Sequence, residues 1–144
     1  MLFKTKEFLI TGAKTLSIDI VDKLFWYHII PCIPVRKELG IPMTASLKSG
    51  YRPRWWELRH GRKGGSQHVF LGKGAIDWTC KNFKINKEKL LDLLIKHTTY
   101  TRFAIYNGFI HCDYKATPGG DRELYAYEFD EAEGIKKWVF KQIL

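Results

Sequence analysis

Two histidines and one aspartate are placed where they could bind a metal ion. His68 precedes a Gly72-x-Gly74 turn and Asp77 follows it, so the turn separates a nitrogen ligand from an oxygen ligand. Nine positions of extended chain would hold them about 30 Å apart. The glycines allow the chain to reverse and bring the two side chains together. His111, on a later extended stretch, is well suited to supply a third ligand.

Two histidines and one carboxylate leave a fourth coordination position open for water, which is the arrangement of catalytic zinc sites. Such a metal lowers the pKa of its water and polarises a carbonyl, while a nearby carboxylate takes and returns a proton. The other three histidines lie in helical patterns or in a basic loop, and no ligand role is predicted for them: His28, His60 and His97.

Asp113 is the candidate for that carboxylate, because alternation along a strand places it on the same side as His111. A second role is open to it, since carboxylates commonly orient metal-binding histidines from behind. Glu57, at the start of a polar glycine-rich stretch over residues 57–67, is a less favoured substitute.

Helices at both ends and strands in the middle are predicted to position these residues. Ser17 caps an amphipathic helix that Pro31 and Pro34 interrupt, and Asn86 caps a second helix. Asn107-Gly108 predicts a two-residue hairpin turn. Strands are expected at 43–49, 75–79, 100–106, 109–114 and 123–129, with a last helix at about 131–143. Because regular βαβ alternation is missing, the sequence predicts an α+β fold.

The chain of 144 residues has the length of one domain, so residues 1–144 are predicted to form a single unit. Its formal charge of +9 favours an anionic partner such as nucleic acid, an anionic membrane surface or cell-wall polymers. Three cysteines without a C-x-x-C pair indicate free thiols. The charged N-terminus does not fit a signal peptide, and no run has transmembrane length, so we expect synthesis in the cytoplasm and no membrane insertion.

Four segments together resemble one known family of enzymes. They are Ser49-Gly50-Tyr51-Arg52, Ser66-Gln67-His68, Gly74-Ala75-Ile76-Asp77 and Phe109-Ile110-His111-Cys112-Asp113. Their order and separation are similar to those of the D-Ala-D-Ala carboxypeptidase and L-alanyl-D-glutamate endopeptidase family. The resemblance covers roughly residues 5 to 115.

The resemblance implies a hedgehog-like fold, with helices packed on a small antiparallel sheet, and a Zn²⁺ ion bound by His68, Asp77 and His111. It implies that Arg52 holds a substrate carbonyl or carboxylate and stabilises the oxyanion, and that Ser66 and Gln67 contact substrate. The substrate would be the stem peptide of peptidoglycan. We expect the protein itself to be a monomer. The enzyme would be of phage or bacterial type, reaching the wall after release or within a virion and attracted to its anionic polymers.

The chain also departs from the family pattern at two points. Two extra residues lie between His68 and Asp77, and the position three before the last histidine, where better-known relatives have the catalytic acid, is Gly108. A non-catalytic wall-binding or virion protein that retains the fold is therefore the alternative function. A basic nucleic-acid-binding protein is less favoured, since the sequence has charge and aromatics but no recognition motif.

Overall fold

A computed structural model of the chain describes residue 3 and residues 5–8, 16–46 and 50–144. Within these ranges it is a mixed α+β structure with a six-stranded sheet, as the sequence predicts at the level of fold class. The motif residue Ser49 and part of the predicted strand at 43–49 lie outside the described residues. Within the described part of the chain, no helix combines the length and the apolar character needed to cross a membrane.

The first helical run is longer than predicted. It consists of α1 (Ile18–Leu24), a π-helical turn (Phe25–Ile29) and α2 (Ile30–Leu39), and it ends at Gly40 in a left-handed conformation. The Ser17 side chain accepts a hydrogen bond from the Ile20 amide, as expected for a cap. The predicted interruption at Pro31 and Pro34 is wrong. Pro31 lies in the first turn of α2 and Pro34 lies inside the helix, and the π-helical turn that precedes them shifts the backbone hydrogen-bond pattern where their N–H donors are missing.

The sheet has the strand order β1-β2-β4-β3-β5-β6. Its strands are β1 (Met43–Ala45), β2 (Ala75–Cys80), β3 (Arg102–Ile105), β4 (Ile110–Asp113), β5 (Glu123–Asp130) and β6 (Ile135–Ile143). The β3 and β4 strands form the hairpin predicted from Asn107-Gly108. Neighbouring strands are antiparallel except β3 and β5, which are parallel, so the sheet is mixed and the expectation of an all-antiparallel sheet is wrong.

The C-terminal segment is a strand, and the helix predicted at 131–143 is wrong. The β6 strand pairs with β5, with Tyr127 opposite Trp138. Between them the Gly134 amide donates to the Asp130 carbonyl at 2.7 Å, and Gly134 has a φ of 70°. A positive φ suits glycine and reverses the chain at a point where a helix would need a continuous right-handed backbone.

Two further helices flank the segments that carry the candidate ligands. The short α3 (Arg54–Arg59) precedes the first histidine, and α4 (Phe83–His97) packs against α2 and β2. The α4 helix begins before the predicted cap, because Asn82 adopts a left-handed conformation and Asn86 instead donates to the Lys81 and Asn82 carbonyls. The largest fully buried side chains of the core include Trp78, Tyr100, Phe103, Phe8, Leu90 and Leu94.

Candidate metal centre

The three predicted ligands come from a short turn and two paired strands. His68 lies in the 3₁₀ turn Gln67–Val69, whose amide at His68 donates to the Ser66 hydroxyl. Asp77 in β2 and His111 in β4 are direct antiparallel partners, so their side chains leave the sheet on one face. Between His68 and β2 the chain reverses at Gly74, where φ is 89° and a Cβ would lie 2.4 Å from the Phe70 ring. The reversal therefore depends on glycine at this position.

The three side chains converge on one point. His68 Nε2 is 3.2 Å from Asp77 Oδ1 and 3.2 Å from His111 Nδ1, and His111 Nδ1 is 2.8 Å from Asp77 Oδ1. Zinc ligands at about 2.1 Å in a tetrahedron are separated by about 3.4 Å, so small outward shifts would admit an ion. All three residues are buried. They form a His-Asp-His cluster that could bind a metal.

Each histidine is oriented by a hydrogen bond at its other ring nitrogen. His68 Nδ1 donates to the Gly50 carbonyl at 2.9 Å, which leaves Nε2 directed at the shared point. His111 Nε2 lies 2.8 Å from Asp113 Oδ2, which directs Nδ1 to the same point. Such partners fix the ring and its tautomer, as is usual around protein metal sites.

Asp113 occupies the second of the two roles considered for it. Arg102 Nε donates to its Oδ1 at 2.9 Å, Arg102 Nη2 donates to Oδ2, and the Lys115 amide donates to Oδ1 at 3.0 Å. The carboxylate is fully buried and contacts the nitrogen of His111 that is remote from the cluster. This position orients His111 and does not fit the prediction that Asp113 exchanges protons at the metal.

The charges of the cluster reinforce one another. Burial opposes a charge on His111, but hydrogen bonds to Asp113 and Asp77 outweigh it and raise the pKa of His111 to about 9. Burial likewise opposes ionisation of Asp77, yet the neighbouring His68 and His111 hold its pKa well below the usual range. The pKa of Asp113 is also lowered, because its hydrogen bonds to His111 and Arg102 outweigh its burial. The site therefore has two ionised carboxylates around a protonated imidazole when no metal is present.

Arg52, which the resemblance assigns to the substrate, lies beside the cluster. Its Nη2 is 3.7 Å from Asp77 Oδ2 and its Nη1 is 3.6 Å from Glu57 Oε1. The Arg52 amide also donates to the His68 carbonyl at 2.8 Å. The residue is thus tied to one ligand through its backbone and approaches another through its side chain.

A cavity of about 410 Å³ opens over the cluster. It is lined by Arg52, Arg62, Ser66, His68, Asp77, Tyr106, Phe109, His111, Tyr127 and Trp138. Of the two residues predicted to contact substrate, Ser66 lines the cavity, and Gln67 is not part of its described lining. Sequence reasoning missed the aromatic wall of Tyr106, Phe109, Tyr127 and Trp138. The strand alternation at 123–129 was a signal for Tyr127, but Trp138 was assigned to a helix.

Trp138 from β6 packs beside His111 in the wall of the cavity. Its ring centroid is 5.0 Å from that of His111, and its Nε1 donates to the Tyr106 hydroxyl at 2.7 Å. The Arg102 guanidinium lies 4.7 Å from the centroid of the same indole. The C-terminal hairpin thereby packs on both His111 and the Arg102 side chain that holds Asp113.

The remaining histidines have their described partners outside the cluster. His28 is buried between the Tyr100 hydroxyl at 2.6 Å and the Lys73 carbonyl at 2.8 Å, both hydrogen-bonded to its ring nitrogens. His60 stacks on Trp56, and His97 pairs with Glu38. Gly108 occupies the position where members of the resembled family have an acid. Its carbonyl accepts a hydrogen bond from the Thr79 hydroxyl at 2.7 Å.

Comparisons of the chain with protein-family models, with curated proteins and with solved structures give no match. The buried His-Asp-His cluster is therefore defined by the positions of its own side chains.

Proposed function

We propose that the chain is a zinc-dependent peptidase of the hedgehog-like type, which hydrolyses the stem peptides of bacterial peptidoglycan as an endopeptidase or a D-Ala-D-Ala carboxypeptidase. The observation that carries the proposal is the convergence of His68 Nε2, Asp77 Oδ1 and His111 Nδ1 beneath an open cavity. Two imidazoles and one carboxylate are a ligand set typical of catalytic zinc. When bound, zinc acts as a Lewis acid and lowers the pKa of a coordinated water toward neutrality.

The chain's own residues would prepare the substrate. Arg52, next to Asp77, is placed to donate to the scissile carbonyl and to the negative charge that develops on its oxygen. The Tyr106 hydroxyl already accepts from Trp138, so its own proton remains for the cavity. The aromatic wall excludes water from one side of the site, which strengthens these electrostatic contacts.

The net charge of the chain suits the proposed partner. A formal charge of +9 would concentrate the enzyme near anionic wall polymers, and that attraction should weaken with added salt. We place its action at the cell wall, reached after release from the cell or from within a virion.

A non-catalytic wall-binding protein that retains the metal is the second candidate. It is favoured by one observation: among the described residues that line the cavity, Asp77 is the one carboxylate. Asp113 and Glu57 are both fully buried behind basic side chains. On this alternative the protein would bind peptidoglycan without releasing peptides from it.

The deciding experiment measures metal content and hydrolysis together. Elemental analysis of tag-free protein should find about one zinc per chain, and purified peptidoglycan should be hydrolysed. His68→Ala should lose both, whereas His97→Ala, on the distant α4 helix, should retain both. No zinc after reconstitution would contradict the metal site. Zinc with wall binding but no hydrolysis would establish the second candidate.

A further inference from the structure

Glu57 is a buried carboxylate held between two arginines. It is 0% exposed, and within the described residues neither of its oxygens has a hydrogen-bond partner. Arg52 Nη1 lies 3.6 Å from Oε1, and Arg62 Nε lies 3.3 Å from Oε2. Burying a charge costs free energy unless the charge is paired. The two guanidinium groups offset that cost for the Glu57 carboxylate. In return, Glu57 holds both arginines at the edge of the cavity.

The Arg62 guanidinium is held on its Nε side, and its two Nη groups are available to a ligand. Its Nε faces Glu57, and its guanidinium carbon lies 5.0 Å from the centroid of the Trp56 ring. The side chain is 48% exposed and lines the cavity. Within the described part of the chain, its two Nη nitrogens have no hydrogen-bond acceptor. A guanidinium that is held against an aromatic ring, with both Nη groups available as donors, is preorganised for two parallel hydrogen bonds to a carboxylate.

Resting on the proposed peptidase function, we propose that Arg62 binds a free α-carboxylate of the substrate adjacent to the scissile amide. The positions of the two arginines divide their roles. Arg52 pairs with the ligand Asp77 as well as with Glu57 and is 16% exposed, whereas the described ion pair of Arg62 is with Glu57 and its side chain is 48% exposed. The preferred substrates are therefore peptides with a free carboxylate next to the bond that is cut, and peptides amidated there are poor substrates.

Charge balance supports an anionic ligand. A divalent metal with Asp77 contributes a net charge of +1, and Arg52, Arg62 and Glu57 together contribute a further +1. The Asp113 and Arg102 charges cancel each other. The loaded cavity is thus positive, and in a partly dehydrated site this favours a carboxylate over the neutral amide of the same shape.

The test compares Arg62→Gln with Arg59→Gln. Arg59 is an exposed arginine on α3 that stacks on Trp55 and is not part of the cavity lining, so it is a matched control. Calorimetry on zinc-loaded protein measures the affinity for N-acetyl-D-alanine and for its primary amide. Hydrolysis is measured on a stem peptide with either a free or an amidated carboxylate beside the cut bond.

Arg62→Gln should lower the affinity and kcat/KM for the acid by about 10- to 100-fold, and leave those for the amide unchanged. Arg62→Lys keeps the positive charge but loses the planar pair of Nη donors, so its affinity and kcat/KM for the acid should lie between those of the parent and of Arg62→Gln. It replaces Arg62→Gln in the test if that variant does not fold. If Arg62→Gln and Arg62→Lys show the same ratio of acid to amide affinity and the same ratio of kcat/KM values as Arg59→Gln, the inference is overturned. If the parent binds zinc and distinguishes acid from amide without hydrolysis, the peptidase function fails and the carboxylate site stands.

Discussion

Replacing Asp113 with Asn separates the two roles that this residue could have. The Asn oxygen can still accept from His111 Nε2, but the negative charge behind the ring is lost, and Arg102 loses its charged partner. Removing a partner behind a metal-binding histidine typically weakens metal binding about 10- to 100-fold, or about 1.4 to 2.7 kcal/mol. We expect zinc affinity to fall within this range, while hydrolysis at saturating zinc falls by less than about tenfold.

The assay is competition for zinc with a chelator of known affinity, followed by peptide hydrolysis at a zinc concentration that saturates each variant. Asp121→Asn, an exposed aspartate in the loop before β5, is the control and should behave as the parent in both measurements. The reasoning would be refuted by unchanged zinc affinity combined with a loss of hydrolysis of more than about 100-fold at saturation. That result would identify Asp113 as the proton-transferring carboxylate.

Three further predictions concern metal binding and stability. Because the pKa of His111 is about 9, zinc binding at pH 7 should release about one proton, seen by calorimetry in buffers of different ionisation enthalpy; release near zero would contradict this. Gly50→Ala would place a Cβ 2.5 Å from the Phe8 carbonyl oxygen. Chelator competition should therefore show weaker zinc binding, and thermal unfolding should show a loss of stability of about 1 to 3 kcal/mol. Gly65→Ala adds its Cβ in open space and should change neither property. Burial lowers the pKa of His28 to about 3, so the unfolded chain binds a proton below pH 6.5 that the folded chain rejects. The contribution of His28 to stability should therefore drop by about 2 kcal/mol between pH 7 and pH 5. His111, whose pKa is raised, works in the opposite direction by about 0.8 kcal/mol over the same range. In denaturant unfolding the stability of the parent should therefore fall by about 1 kcal/mol, and the difference between the parent and His28→Gln should change by about 2 kcal/mol.

The parts of the site that the sequence could predict are those set by local signals. The glycines before Asp77 indicate the chain reversal that brings His68 to it, and Asn107-Gly108 indicates the turn that pairs β3 with β4. Once that hairpin forms, His111 is placed on a central strand beside β2. The order of the family motifs then selects the same three residues that the structure brings together.

The errors fall where nonlocal contacts override local patterns. The segment at 131–143 has helix-forming residues near its start, yet pairing with β5 makes it a strand. Glu57 belongs to a stretch that is polar and rich in glycine, but the α3 helix turns it inward between two arginines. The burial of Glu57 depends on Arg52, which precedes it in the chain, and on Arg62, which follows it. A periodicity pattern does not reveal that these two side chains converge on one carboxylate.

The role of Asp113 shows why residue types and strand alternation identify a site more readily than its mechanism. Alternation places Asp113 on the face of His111, but it does not determine which imidazole nitrogen the carboxylate contacts. That choice is made by Arg102, the β3 residue paired with Asp113 across the hairpin, which holds the carboxylate at Nε2. Since Nε2 is occupied, Nδ1 becomes the nitrogen directed at Asp77 and His68. A cross-strand arginine thus determines which nitrogen of His111 faces Asp77 and His68, and so which one could bind a metal.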